Sequence, residues 1–410
     1  MLSSQGLGIV TQTAYFILVA RALDAPSYGA FVSVTAITSI IFPFIGLGSA
    51  NILIKNVAKS ENTFQEQWGN TLLISILTGI LAILIVLLIS PFLFSNSLSL
   101  PVIALILIAD LIGLRLLENC GSAFVAVFQV KRTAQIKALY NVSKLIAAII
   151  LVLCFNKTNL LVWSALYCIS SLLPAIVASL VIHYSLGKPK PCIIKFKSEL
   201  SQGLLFSVDS SASNINSSVD RAMLGSLAGF HVAGIYSAAY RFIDIFYYVI
   251  FALSGATYSR FFKHGTSGIK GSFGFAKKLL PIALLYGFIT TTAIFFMAPV
   301  VVPLLLGKNF LASIEVLKWL APIHLTSYTQ LLAADVLTGS GFQGYRSAIQ
   351  VTSAALNIGL NLFLIPIFSW KGAACATLIS ESLKTLGLWL LIAFLYKRAD
   401  AQTNPDEEAT

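Results

Sequence analysis

The chain has 410 residues, of which 57% are hydrophobic and 10% charged, with a mean hydropathy of +0.86 and a formal net charge of +11. That composition is the signature of an integral membrane protein. The polar connections between its apolar stretches run to roughly 20 residues at most, which leaves no room for an attached soluble domain or a large catalytic loop.

An apolar stretch of about 20 helical residues crosses about 30 Å of hydrocarbon. Cutting the chain on that length predicts twelve helices: 3–22, 28–54, 68–90, 100–129, 135–155, 160–185, 199–226, 233–260, 277–305, 312–338, 345–368 and 371–396. Turn chemistry supports the cuts at Ala25-Pro26-Ser27, Ser90-Pro91, Lys188-Pro189 and Gly339-Ser340-Gly341. The first stretch has no basic n-region and no small-residue cleavage site, so it reads as a span and not as a signal peptide. With an internal N-terminus, 17 of the 27 Lys and Arg residues fall on inside connections, from Lys55 to Arg398. Only Arg21, Lys157, Lys308 and Lys371 fall outside. This bias obeys the positive-inside rule and places both termini in the cytoplasm. It also accounts for the net charge with no nucleic-acid partner. The five cysteines have no paired spacing and read as small packing residues.

Residues 188–197, with two prolines and four lysines, break the hydropathy near the midpoint. The chain therefore divides into a six-helix lobe (1–187), a basic cytoplasmic linker (188–198), a second six-helix lobe (199–396) and a cytoplasmic tail (397–410). The halves resemble each other. Ala20-Arg21-Ala22-Leu23 is followed by Tyr28-Gly29-Ala30-Phe31, and Asp220-Arg221-Ala222-Met223-Leu224 by Ala233-Gly234-Ile235-Tyr236. Two halves with an even number of spans share one topology, the parallel-repeat plan of many transporters. The expected fold class is thus an all-α membrane protein of about twelve helices, in two lobes around a central cleft.

The stretch from Ser207 to Arg221 is the least lipid-like of the twelve. Ser207, Ser211, Asn214, Ser218 and Arg221 recur at helical steps, and Asp209, Asn216 and Asp220 widen the face. Lipid cannot solvate such a stripe, so it faces protein or a water-filled cavity, and a substrate cleft is the sharper reading. The next helix repeats Tyr240, Arg241, Asp244, Tyr247 and Tyr248 on one face, with Tyr236 read as an interfacial belt residue. Helix 3–22 carries a weaker polar face of Ser4, Gly8, Thr11 and Tyr15, with Gln5 and Gln12 beside it. Among charges inside spans, Arg115 and Glu118, Arg241 and Asp244, Glu315 and Lys318, and Glu381 and Lys384 stand three apart and can pair. Asp220 and Arg221 are adjacent and point apart, which leaves Arg221 as the candidate unpaired cation. Asp209, Asp244 and Asp335 are candidates for a coupling ion, and His324, Tyr328 and Asp335 share a face that suits a proton relay. No phosphate-binding loop, metal-spaced His/Cys cluster or paired carboxylates exist in the sequence, so no cofactor or metal is expected and an enzyme has no residues to carry it. Coupling to H⁺ or Na⁺ is left open.

Near the C-terminus the chain reads Asn357-Ile358-Gly359-Leu360-Asn361-Leu362-Phe363-Leu364-Ile365-Pro366, then Gly372-Ala373-Ala374-Cys375-Ala376-Thr377 and Ser380-Glu381. This resembles the signature of bacterial polysaccharide flippases, the Wzx-type O-antigen translocases of the MOP exporter superfamily. Leu23-Asp24-Ala25-Pro26-Ser27-Tyr28-Gly29 is similar to that family's loop after its first helix, with Asp24 where the family has glycine; the N-terminal tail is also short. The resemblance implies a MATE-like fold. It also implies flipping of an undecaprenyl-pyrophosphate-linked O-antigen or capsule repeat unit across the bacterial cytoplasmic membrane. The expected partners are that lipid-linked oligosaccharide, membrane lipids and other glycan-assembly proteins, acting on a monomer. The alternatives are a cation-coupled multidrug exporter of the same superfamily and a membrane enzyme of glycan assembly, either a polymerase or a ligase.

Overall fold

The computed structural model describes residues 2–94, 97–155, 159–192 and 200–403, and among them every regular element is helical. Among the described residues nine helices are long and apolar enough to cross a membrane: those over residues 25–59, 64–94, 100–126, 130–154, 160–186, 230–265, 268–306, 343–368 and 370–400. Three expected spans fall outside this set. Residues 2–22 and 200–227 are helical but carry the polar faces noted above, and the stretch expected at 312–338 is interrupted beside Pro322. The chain forms two compact units, Met1–Gly234 and Ile235–Thr410.

In the first unit, α1 (Leu2–Ala22) leads into α2 (Ala25–Ile41), where Asp24 caps the new helix by accepting from Ser27 N–H at 2.8 Å. Pro26 sits in the first turn, where no backbone donor is lost. Gly46 and Gly48 at positive φ, with Leu47 between them, then turn the chain into the amphipathic α3 (Ser49–Lys59). α4 (Phe64–Phe94) presents Leu77, Leu81, Leu84 and Leu88 outward, the face a lipid-exposed helix requires. α5 (Leu100–Leu107) and α6 (Arg115–Ala126) are joined through a π-helical stretch, Ile108–Leu114. α7 (Val130–Cys154) and α8 (Leu160–Leu186) complete a core built on Leu53, Trp68, Leu117, Phe124 and Ile182. The described part of the linker is strapped down. The Asn70 side-chain amide donates to Cys192 C=O at 3.0 Å and accepts from Cys192 N–H at 2.6 Å, while Lys190 N–H donates to Gln65 C=O. Residues 193–199 and 404–410 lie outside the described residues.

α9 (Leu200–Leu227) packs antiparallel along α2 over most of its length. The approach is close because glycines face it. A Cβ on Gly225 would sit 2.1 Å from Ser33 Oγ, one on Gly48 2.4 Å from Gly203 Cα, and one on Gly29 1.7 Å from Phe230 C=O, at the start of α10 (Phe230–Gly265). Gly29 and Gly234, the two glycines of the repeated Gly-Tyr starts, abut each other.

In the second unit, α10 is followed by α11 (Gly268–Leu306), α12 (Ser313–Leu320), α13 (Ile323–Gly339), α14 (Gln343–Phe368) and α15 (Trp370–Thr403). Phe261, Ala276, Tyr328, Val336 and Ile392 belong to its core. The flippase-like motif here has a packing role. Asn357 donates to Ser380 Oγ at 2.8 Å, Asn361 donates back to Asn357 C=O at 2.9 Å, and Gly372 lets α15 approach Leu364 C=O. Ala373, Ala374 and Ala376 are fully buried, as small residues at a close helix pair should be.

Candidate functional site

The polar stripe of α9 lies on α2. Ser211 donates to Ile40 C=O at 2.9 Å and Asn214 to Ser39 C=O at 2.7 Å, so two members satisfy backbone carbonyls of the neighbouring helix. Ser207 turns back to Gly203 C=O at 3.1 Å and is buried; Ser218 is buried and accepts from Arg221. The expectation that Arg221 is unpaired is corrected. Its guanidinium folds along its own helix, bonding Ser217 C=O and Ser218 Oγ, and its Nε lies 4.0 Å from Asp220 Oδ1. Adjacency did not keep the charges apart, because a long arginine stem can curl back over the preceding turn. The Asp209 side chain, like those of Ser4 and Gln5, lies outside the described residues.

A second polar cluster in the first unit is built by four helices and the π-helical stretch. Asp110, 5% exposed, accepts from Thr38 Oγ1 of α2 at 2.5 Å and from Tyr167 OH of α8 at 2.6 Å. Tyr15 of α1, Tyr140 of α7 and Tyr167 turn their rings to Lys144 Nζ, with centroids at 4.8, 5.1 and 4.7 Å. The wider π-helical turn carries Asp110, and such insertions recur at functional positions in helices. Thr11 turns back to Gly8 C=O of its own helix.

The second unit holds a different cluster. Lys384 Nζ and Glu381 Oε1 form an ion pair at 2.5 Å, both nearly buried, and the Gln330 amide bridges them, donating to Glu381 Oε2 at 2.8 Å and accepting from Lys384 at 3.2 Å. His324 is fully buried, and neither ring nitrogen has a hydrogen-bond partner among the described residues. It stacks on Tyr328 at 5.3 Å and meets Tyr247 at 5.9 Å. The structure thus brings His324 and Tyr328 together but gives Asp335 to Ser254 of α10, which donates at 3.0 Å. Arg241 and Asp244 approach to 4.0 Å on an exposed face. Tyr240 is buried against the Tyr236 ring at 5.8 Å. Two expectations are corrected. Tyr236 is fully buried with its hydroxyl 3.5 Å from Thr377 Oγ1, so it is no belt residue. Glu315 pairs with Lys371 at 3.2 Å and not with Lys318, which lies over the Phe295 ring, because the turn into α15 presents a cation more directly.

The profile of the family described as polysaccharide biosynthesis protein matches residues 1–264. The chain belongs to that family. No curated protein matches the sequence. Among solved structures, an inward-facing multidrug-resistance MATE transporter of the MOP superfamily aligns with a TM-score of 0.76 at 15% identity, covering 95% of this chain and 96% of its own. The lipid II flippase MurJ, in an inward closed conformation, aligns with a TM-score of 0.76 at 14% identity, covering 95% and 86%. An outward-facing MATE transporter gives 0.63 at 17% identity, covering 95% and 94%. At these identities the likeness establishes the fold, which is that of the MATE and MurJ chains.

For a polysaccharide biosynthesis family member, the sequence reading missed the Asp110 and Gln330 networks. Lys144 was legible as a mid-span cation with Tyr140 one turn before it, but its other two rings come from α1 and α8. Gln330 is an ordinary polar residue until α15 brings Glu381 and Lys384 to it.

Proposed function

We propose that this protein is a flippase that moves an undecaprenyl-pyrophosphate-linked oligosaccharide, an O-antigen or capsule repeat unit, from the inner to the outer leaflet of the bacterial cytoplasmic membrane. Its two six-helix halves, 1–187 and 199–396, alternate access, and both termini lie in the cytoplasm. The family match carries this reading: a membrane-spanning member of a polysaccharide biosynthesis family on a transporter fold has lipid-linked glycan as its natural cargo. Arg221, Ser218, Arg241, Tyr240 and Tyr247 contact the cargo, with the cations meeting the pyrophosphate and the rings meeting sugar faces. Ser211 and Asn214 hold α9 to α2 beside them, and Ser207 lies on the same face. An anionic headgroup moving outward across an inside-negative membrane gains about 2.3 kcal/mol per charge per 100 mV, and uptake of H⁺ or Na⁺ at Asp209, Asp244, Asp335 or His324 adds to it.

Deleting the gene is expected to abolish a surface glycan and leave its lipid-linked unit on the inner leaflet, read by glycan staining and leaflet-specific labelling. Normal surface glycan with no build-up would refute the proposal. Arg221→Ala is expected to lower export at least about tenfold with normal membrane insertion, since a charged contact to phosphate contributes more than about 1.4 kcal/mol. The second reading, a cation-coupled drug exporter, is favoured by the buried acids Asp110 and Asp335 on a MATE fold. It predicts drug resistance that depends on Na⁺ or pH in cells expressing this chain.

A further inference from the structure

A lysine in the middle of a membrane span normally reaches for water at the nearer interface. Lys144 cannot do so easily. It is the fifteenth of 25 residues in α7, about 20 Å from one helix end and about 15 Å from the other at 1.5 Å per residue. Its ammonium is instead surrounded by the faces of Tyr15, Tyr140 and Tyr167, all within 5.1 Å of the ring centroids. Three rings from three helices around one ammonium form the arrangement by which aromatic cages recognise alkylammonium ligands.

The anion is built in as well. Tyr167 presents its ring face to Lys144 and its hydroxyl to Asp110, and Thr38 supplies Asp110 with a second donor. Lys144 is near enough to act electrostatically on Asp110. A buried carboxylate held by two hydroxyl donors still lacks the opposite charge that a low-dielectric site demands. The ammonium of Lys144 supplies that charge across the Tyr167 ring. Two of the three rings are held independently of Lys144: Tyr15 and Tyr167 both pack on Trp163, at 5.8 and 5.9 Å, and Tyr167 also meets Phe31 edge-on at 5.0 Å.

We propose that Tyr15, Tyr140, Tyr167 and Asp110 form a primary-ammonium binding site inside the first unit, and that Lys144 is its tethered occupant. Asp110 therefore receives its cation from the chain itself and not from solution. Removing the tethered ammonium vacates a preorganised cage, which takes a short alkylammonium ion in its place. Specificity for an alkylammonium over Na⁺ follows from the lining. Ring faces bind a weakly hydrated organic cation readily, whereas Na⁺ requires several oxygen ligands at close range, and three faces of the site are aromatic rings.

The test uses the full-length protein purified in detergent and ethylammonium chloride as the probe, with NaCl at equal ionic strength as the reference. Lys144→Ala is expected to show a saturable rise in unfolding temperature with ethylammonium of at least about 2 °C, and the unaltered protein none. Lys144→Met is expected to show none, because its uncharged stem still fills the cage. The Asp110→Asn/Lys144→Ala double variant is expected to lose the response. No response in Lys144→Ala, an equal response in the unaltered protein, or an equal response to NaCl would each overturn the site. A full response in the double variant would overturn the part given to Asp110. Should Lys144→Ala not be recovered folded, the yield of monodisperse protein extracted with ethylammonium against NaCl is read in its place, and equal yields overturn the proposal.

Discussion

The two units place charge inside the membrane in opposite ways. In the second, Glu381 and Lys384 stand three residues apart on α15 and meet directly at 2.5 Å, with Gln330 of α13 bridging them from another helix. In the first, Asp110 and Lys144 belong to different helices and communicate through Tyr167, with donors and rings from α1, α2, α7 and α8. A local pair is formed whenever its helix forms, so it serves mainly to keep two charges neutral in a dry place. A distributed cluster exists only when several helices are correctly placed. It therefore depends on their arrangement.

The contrast can be broken most forcefully at the local pair. Lys384→Met leaves Glu381 buried without its partner and is expected to cost about 3–5 kcal/mol of unfolding free energy in detergent. The Glu381→Gln/Lys384→Met double variant is expected to recover most of that loss; no recovery would mean that the pair is not the unit of stability. Asp110→Asn comes next. Thr38 and Tyr167 both lose a charged acceptor, for an expected loss of about 2–3 kcal/mol by the same measurement. Tyr167→Phe removes one donor but keeps the ring beside Lys144, so about 1–2 kcal/mol is expected, with the ethylammonium response of Lys144→Ala preserved in the combined variant. Thr38→Val should have the smallest effect, about 1 kcal/mol, because Tyr167 still reaches Asp110. If Thr38→Val and Tyr167→Phe prove fully additive, the two hydroxyls act on Asp110 independently; a coupling above about 0.5 kcal/mol marks them as one network.

Much of this was readable along the chain. Periodicity and hydropathy set the all-α membrane class, and the break at Ala25-Pro26-Ser27 was evident because turn chemistry depends on neighbours in sequence, whereas the cap by Asp24 came from the structure. The i,i+3 pairing of Glu381 with Lys384 was evident for the same reason. Glu315 was misassigned to Lys318 because the turn between α14 and α15 offered Lys371, a choice that local spacing does not encode. Tyr236 looked like an interfacial ring by its position near a helix start, yet α15 covers it and Thr377 meets its hydroxyl. Ser211 and Asn214 were correctly grouped on one face, but whether that face met water or backbone depended on α2 and its glycines lying alongside.

The sequence by itself determined that this chain lives in a membrane, that it is helical, and which faces of its helices are polar. Each of those depends on transfer free energy and on the 3.6-residue period, and both are properties of short segments. Only the tertiary structure decided where the polar faces go: that α9 zips onto α2, that Arg221 folds over its own helix, and that Lys144 and Asp110 share Tyr167. A buried polar group takes whatever donor, acceptor or ring lies within about 3–5 Å, and in a bundle those partners come from helices distant in sequence.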